Sequence, residues 1–285
     1  VELKDGANAV AINLLLIVRP ERKGQRDGVT DGAVCWSPFL SGTHVTVEIH
    51  PKGTSPQFFK KLSFGKGMFL AGEPPWPWQR GDTPPSAEEL VQTLLKQART
   101  DLEKVRVIWM WICHHIEYDV VGFHNESLRL CKPTDVLRTG KSVCEGYAGL
   151  FQQMCSVAGI QCMKLSGYSK GYGYKIGQTF QGNSDHAWNA VYLDGRWHLL
   201  DSTWGSGTVD DALTKFTFKY NEFYFLIHPA LFVNNHFPDN SNWQLLKPTL
   251  TLKQFESNLQ HNSDFYNLGL LAAHPQTALI QTGNP

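Results

Sequence analysis

The chain lacks a net charge: Lys plus Arg number 26 and Asp plus Glu number 26 in 285 residues, so no overall field draws it onto nucleic acid or an anionic membrane. It also lacks an apolar run of membrane length. The longest near its start, Ala9 to Val18 with Asn13 inside it, is about half of the ~20 residues a span needs and reads as a buried strand. No basic n-region precedes it, so no signal peptide is visible. The six cysteines, at 35, 113, 131, 144, 155 and 162, contain no C-x-x-C pair. A chain this long holds a core without disulfide staples, which points to a reducing, cytoplasmic setting. No His or Cys cluster has zinc-ligand spacing and no Asp-rich loop resembles a calcium site, so neither metal nor cofactor is expected. Repeats and low-complexity tracts are absent as well. What remains is 42% hydrophobic and 18% charged, the composition of a folded chain of one large or two modest domains.

Residues 1–72 read as β-rich, with alternating runs such as Val45 to Ile49 punctuated by Asp27-Gly28, Asp31-Gly32 and Ser41-Gly42. The stretch EPPWPWQRGDTPP, residues 73–85, carries five prolines, which forbid regular helix and fit a linker. The remainder, 86–285, forms a second domain. Capping boxes Ser86-x-x-Glu89 and Thr100-x-x-Glu103 predict helices to about Arg99 and about Tyr118. In the second, Val105, Ile108, Ile112 and Ile116 recur at helical spacing and read as a core stripe. A third box, Ser142-x-x-Glu145, predicts a helix ending at Gly159 with Cys144 at its second position. Strands follow at Gln161 to Tyr168, His186 to Leu193 and Arg196 to Asp201, the last two joined by an Asp194-Gly195 hairpin turn. Thr251 to Leu259 reads as a helix.

A thiol attacks only as thiolate, and a helix N-terminus, with its unpaired N–H groups and macrodipole, favours negative charge. That location singles out Cys144 as a nucleophile, while the other five cysteines read as small buried apolar residues. The base should be a histidine held by a third group and brought near by the fold. His186 and Asp201 lie on the two strands of the predicted hairpin, both toward its open end, with a side-chain parity that allows a shared face. The remaining histidines, His236 among them, read as surface or packing residues.

Three blocks carry a resemblance. The strings DLEKVRVIWMWICHHIEYD, GKSVCEGYAGLFQQMCSVAGIQC with SDHAWNAVYLDGRWHLLDSTWGSG, and KYNEFYFLIHPALFVNNHFPDNSNWQLL resemble the kyphoscoliosis peptidase family over about Pro85 to Leu259. The resemblance implies an α+β, transglutaminase-like (papain-like) core, with a nucleophile at a helix N-terminus packed on an antiparallel sheet. It implies a triad at Cys144, His186 and Asp201, spaced at intervals of 42 and 15 residues. A cysteine peptidase acting on proteins follows, with a cytoskeletal, actin-crosslinking protein as substrate or partner and no nucleic acid or membrane. Acyl transfer to an amine and a non-enzymatic binding module are the alternatives. For the oxyanion, the Cys144 N–H is a natural donor, and a tryptophan N–H from upstream in such relatives points to Trp109 or Trp111, although core packing is the plainer reading of each. Trp188 and Trp204, two and three residues from triad members, are expected to wall the cleft, Trp188 foremost.

Overall fold

The computed structural model describes residues 78–267 and the backbone of four short strands: β1 (Ala9–Ala11), β2 (His44–Val47), β3 (Leu62–Gly65) and β12 (Leu279–Gln281). β1 pairs antiparallel with β12, and β2 with β3. The β-rich reading of residues 1–72 otherwise lies outside the described residues, as do Glu73 to Pro77 of the proline-rich stretch.

Thr100 caps α2 (Asp101–His115) with both halves of its box. The Glu103 N–H donates to Thr100 Oγ1 at 3.2 Å, and the Thr100 N–H donates to Glu103 Oε2 at 3.0 Å. The shorter α1 (Ala87–Leu94) is capped by Ser86 and runs into a 3₁₀ turn ending at Gln97, short of the expected Arg99. Leu90, Val91 and Leu94 of α1, with Val105, Ile108, Trp109 and Ile112 of α2, enter the main core. Each such fully buried aliphatic side chain is worth about 1.5–3 kcal/mol. α2 stops at His115 rather than Tyr118 because the next residues become strand: β4 (Glu117–Tyr118) pairs in parallel with β5 (Lys141–Ser142). Between them lie α3 (Val120–His124), capped by Asp119, and α4 (Pro133–Thr139), which ends at Gly140 with φ +66°.

That pairing changes how α5 (Cys144–Val157) begins. The expected Ser142/Glu145 box does not form, because Ser142 is committed to β5: its carbonyl accepts the Asp119 N–H at 2.9 Å and its hydroxyl donates to the Leu130 carbonyl at 2.8 Å. Val143 takes the N-cap position, so Cys144 is the first helical residue rather than the second. Glu145 instead pairs with Lys164 at 3.0 Å.

A four-stranded antiparallel sheet, in the order β11-β6-β7-β8, backs α5. β6 spans Cys162–Ser169, β7 His186–Leu193, β8 Arg196–Leu200 and β11 His236–Pro238. β7 keeps its predicted bounds. The turn joining it to β8 has positive φ at both Asp194 (51°) and Gly195 (79°), as a type I′ hairpin requires. Asn189 and Val191 of β7 turn toward α5, where Asn189 Nδ2 donates to the Ala148 carbonyl at 3.0 Å. Trp188 and Ala190 alternate to the other face and meet Leu165, Leu199, Ile227 and Phe232 in a second core. β8 ends one residue short of the prediction because Asp201 leaves the strand to cap α6 (Ser202–Ser206).

Beyond it, β9 (Gly207–Val209) pairs with β10 (Phe216–Phe218), α7 (Pro229–Phe232) leads into β11, and α8 and α9 close the described chain. α8 (Leu252–Ser257), within the predicted Thr251–Leu259, carries a full Thr251/Gln254 box, and α9 spans Ser263–Asn267. No helix among the described residues is long and apolar enough to cross a membrane.

Candidate active site

Cys144 stands half-buried at the start of α5, whose N-cap supplies no side-chain acceptor. A first-turn N–H there is free to meet an anion. Cys113 and Cys155 are buried, and burial pushes both thiols well above their ordinary range. Burial raises Cys131 too. Cys35 lies outside the described residues.

His186 is almost wholly enclosed, and its Nε2 lies 2.7 Å from Asp201 Oδ2. The other ring nitrogen, Nδ1, is not engaged by Asp201, and Cys144 lies near enough to the ring to raise its pKa. Burial by itself would lower the imidazole pKa. The Asp201 charge and hydrogen bond, joined by Cys144, override it and raise the value to about 10. His186 is therefore cationic at neutral pH, able to pair with a thiolate and to donate a proton to a leaving group.

Asp201 has no exposed surface, and burial alone would raise its pKa. The His186 cation and a full set of donors hold the carboxyl far below the usual range instead. Oδ1 accepts the N–H groups of Thr203 at 2.8 Å and Trp204 at 3.0 Å, because Asp201 is the N-cap of α6. Oδ2 receives His186 and, at 3.0 Å, His236 Nε2.

Of the two readings of His236, surface or packing, the structure supports packing, and it adds a contact with Asp201. The ring is fully buried, and burial lowers its pKa to about 4, partly offset by Asp201. It arrives from β11, 35 residues past Asp201, and nothing in its local sequence marks it. The block NNHFPDNSNWQLL, part of the resemblance, was the one signal pointing to that stretch.

His186, Asp201 and His236 also make a three-ligand cluster of the kind that can hold a metal, which the sequence spacing did not suggest. Both ring nitrogens, however, aim at one carboxylate oxygen at 2.7 and 3.0 Å. That is the geometry of hydrogen bonds converging on Oδ2 rather than on a common ion.

Trp188 and Trp204 do flank the histidines. Their ring centroids lie 5.9 and 5.2 Å from His186, and 5.1 and 4.4 Å from His236. Trp188 does so from the core and Trp204 from the partly exposed side. Trp109 packs against Tyr220 and Phe225, and Trp111 stacks on His115 at 4.5 Å, which is the core role for both. Two surface depressions, one of about 510 Å³ lined by Cys131, Glu145 and Lys164 and the other of about 240 Å³ lined by Asp119, Val121, Leu128 and Leu130, are lined by none of Cys144, His186, Asp201 or His236.

Residues 88–202 match the transglutaminase-like superfamily, a span that contains Cys144, His186 and Asp201 and ends one residue after the last. These residues form a transglutaminase-like domain. Kyphoscoliosis peptidase of Homo sapiens is 44% identical, with 99% of this chain and 55% of that protein covered, so the chain spans little more than half the length of this relative. Hillarin of Drosophila melanogaster is 34% identical over 64% of this chain and 23% of its own. Cytokinesis protein 3 of Schizosaccharomyces pombe is 27% identical, with 64% and 20% covered. The kyphoscoliosis peptidase resemblance drawn from the three blocks thus holds, and the likeness reaches beyond Pro85 to Leu259 to 99% of the chain. The α+β expectation holds as well, with a helix led by Cys144 backed on an antiparallel sheet. His236 lies outside the matched domain.

Proposed function

We propose that the transglutaminase-like domain is a cysteine hydrolase of amide bonds in proteins. In this reading the Cys144 thiolate attacks the carbonyl carbon and the Cys144 N–H supports the oxyanion. The imidazolium of His186 then gives its proton to the departing amine as the C–N bond breaks. Water attacks the resulting thioester, His186 takes its proton, and collapse of the tetrahedral intermediate breaks the C–S bond, releasing the carboxylic acid and restoring the thiolate beside the imidazolium. Asp201 keeps the ring oriented and its charge balanced throughout. The 2.7 Å His186–Asp201 contact beside the first residue of α5 is the observation that carries this reading.

The name of the human relative supports peptidase action, and that of the yeast relative supports a cytoskeletal setting in the cytoplasm. An actin-crosslinking protein is the substrate or partner proposed, and residues 1–72 are proposed as an accessory module joined through residues 73–85.

The test incubates wild type and Cys144→Ala with such a partner and follows cleavage, amine incorporation and binding together. Cleavage that disappears in Cys144→Ala while binding persists is the expected result. Amine incorporation without cleavage selects a transferase, because lysine and water compete for the same thioester. Binding with neither activity leaves a scaffold.

A further inference from the structure

We infer that His236 is a positioning residue for the His186–Asp201 pair, a neutral N–H donor that fixes which side of Asp201 Oδ2 is open to His186. The inference rests on the reading of Cys144, His186 and Asp201 as catalytic.

Strand register brings the residue there. His236 lies opposite Ser169 on β6, and His186 lies opposite Gly167 two residues along the same strand, so both histidines project from one face of the sheet. The ring is then clamped. It stacks on Phe232 at 3.9 Å with an interplanar angle of 11°, and Trp188 and Trp204 close on it from two other directions. A benzyl ring would fill this aromatic box without the cost of burying two ring nitrogens, about 1–3 kcal/mol for each left unsatisfied. An imidazole is favoured there only if its nitrogens are used.

They are used in one order. The charged and titratable groups facing the ring are Asp201, His186 and, at a ring distance of 6.4 Å, Tyr224. Beside an ionised Asp201, a lone pair on Nε2 would oppose Oδ2 across 3.0 Å, so Nε2 must carry the proton and donate it. Nδ1, at the opposite edge, lies 2.6 Å from Asn235 Oδ1 and faces the Phe232 carbonyl; with Nε2 holding the proton, Nδ1 accepts from the Asn235 amide turned by half a revolution, which preserves its outline. With Thr203 and Trp204 on Oδ1, Asp201 has two donors on each oxygen, and its carboxylate cannot rotate without breaking several bonds. A carboxylate so held gives His186 a fixed acceptor, and the His186 ring in turn gives Cys144 a fixed partner.

The test needs no natural substrate. Iodoacetamide labelling of Cys144 is followed by peptide mapping in wild type, His236→Phe, His236→Gln and Asn235→Ala, with thermal unfolding of each. Because small misplacements of a reacting pair are costly, His236→Phe is expected to slow labelling about tenfold, and His236→Gln, which keeps an N–H at similar reach, to return to within about threefold of wild type. Wild-type rates in a folded His236→Phe, or a Gln variant as slow as the Phe one, overturn the inference by leaving the ring a packing role. If His236→Phe does not fold, Asn235→Ala takes its place: it leaves the ring but removes the partner that fixes its tautomer, so slowed labelling supports the inference and an unchanged rate overturns it. Wild-type Cys144 that labels no faster than Cys131 brings down the catalytic reading itself, and this inference with it.

Discussion

Asp201 accepts four hydrogen bonds inside the protein and exposes no surface to solvent. Each comes from a group that can only donate in its present state, two main-chain N–H groups, the His186 cation and the tautomer of His236 argued above. Asp201→Asn therefore differs from a loss of charge alone. Whichever way the amide is turned, its NH₂ faces two donors, leaving them unsatisfied while the buried His186 loses its counter-ion. Such a substitution is expected to cost about 2–4 kcal/mol of stability as well as most of the activity. Denaturant unfolding beside labelling of Cys144 checks both effects. A variant as stable as wild type would mean that the four bonds are not all held in the folded protein.

The first turn of α5 sits as close to β5 as atoms allow, and Gly146 is what permits it. A Cβ at Gly146 would run into Ser142 Oγ, and it would lie 2.7 Å from Ser142 Cβ and 3.0 Å from Val136 Cγ2. Ser142 cannot step aside cheaply, since its hydroxyl is tied to the Leu130 carbonyl and its backbone to Asp119. Gly146→Ala, ordinarily a helix-favouring change, is thus expected to destabilise by overpacking, about 1–3 kcal/mol. It should also tilt the turn that carries Cys144 and slow its alkylation. A thermal scan that finds the variant equal to or above wild type would show that the helix can withdraw from β5 without loss.

Across the described residues as a whole, buried and half-buried histidines set how stability responds to mild acid. Burial lowers the pKa of His115, His228, His236 and His261 in the folded state, His236 to about 4, against about 6.5 unfolded. Their contribution is present above pH 6.5 and is lost as pH falls, because the unfolded chain takes up protons that the fold refuses. For His236 the loss runs from about 6.5 down to about 4 and is on the order of 3 kcal/mol. His186 has the opposite sign: raised to about 10, it stabilises fully below pH 6.5, and that contribution is lost as pH rises toward 10. The expected melting temperature therefore falls between pH 6.5 and 4.5, and the fall is shallower in His236→Gln. A melting temperature that holds level or climbs over that range would contradict the assignment of neutral buried histidines. At this scale, the division between what was legible and what was not follows the range of the forces involved. The strand pattern and the Asp194-Gly195 turn marked the β7–β8 hairpin to the residue at β7, and the Thr100/Glu103 box marked the start of α2, since caps and turns are settled by neighbours a few positions away. Position in the predicted hairpin was enough to place His186 and Asp201 at one end of it. The sequence alone thus determined the hairpin, the starts of α1 and α2 and the family likeness. Only the tertiary structure decided that Ser142 serves a strand instead of a cap, and that a histidine 35 residues beyond Asp201 shares its carboxylate oxygen. Both depend on pairing between segments distant in the chain, where strand register and core packing outweigh any local preference.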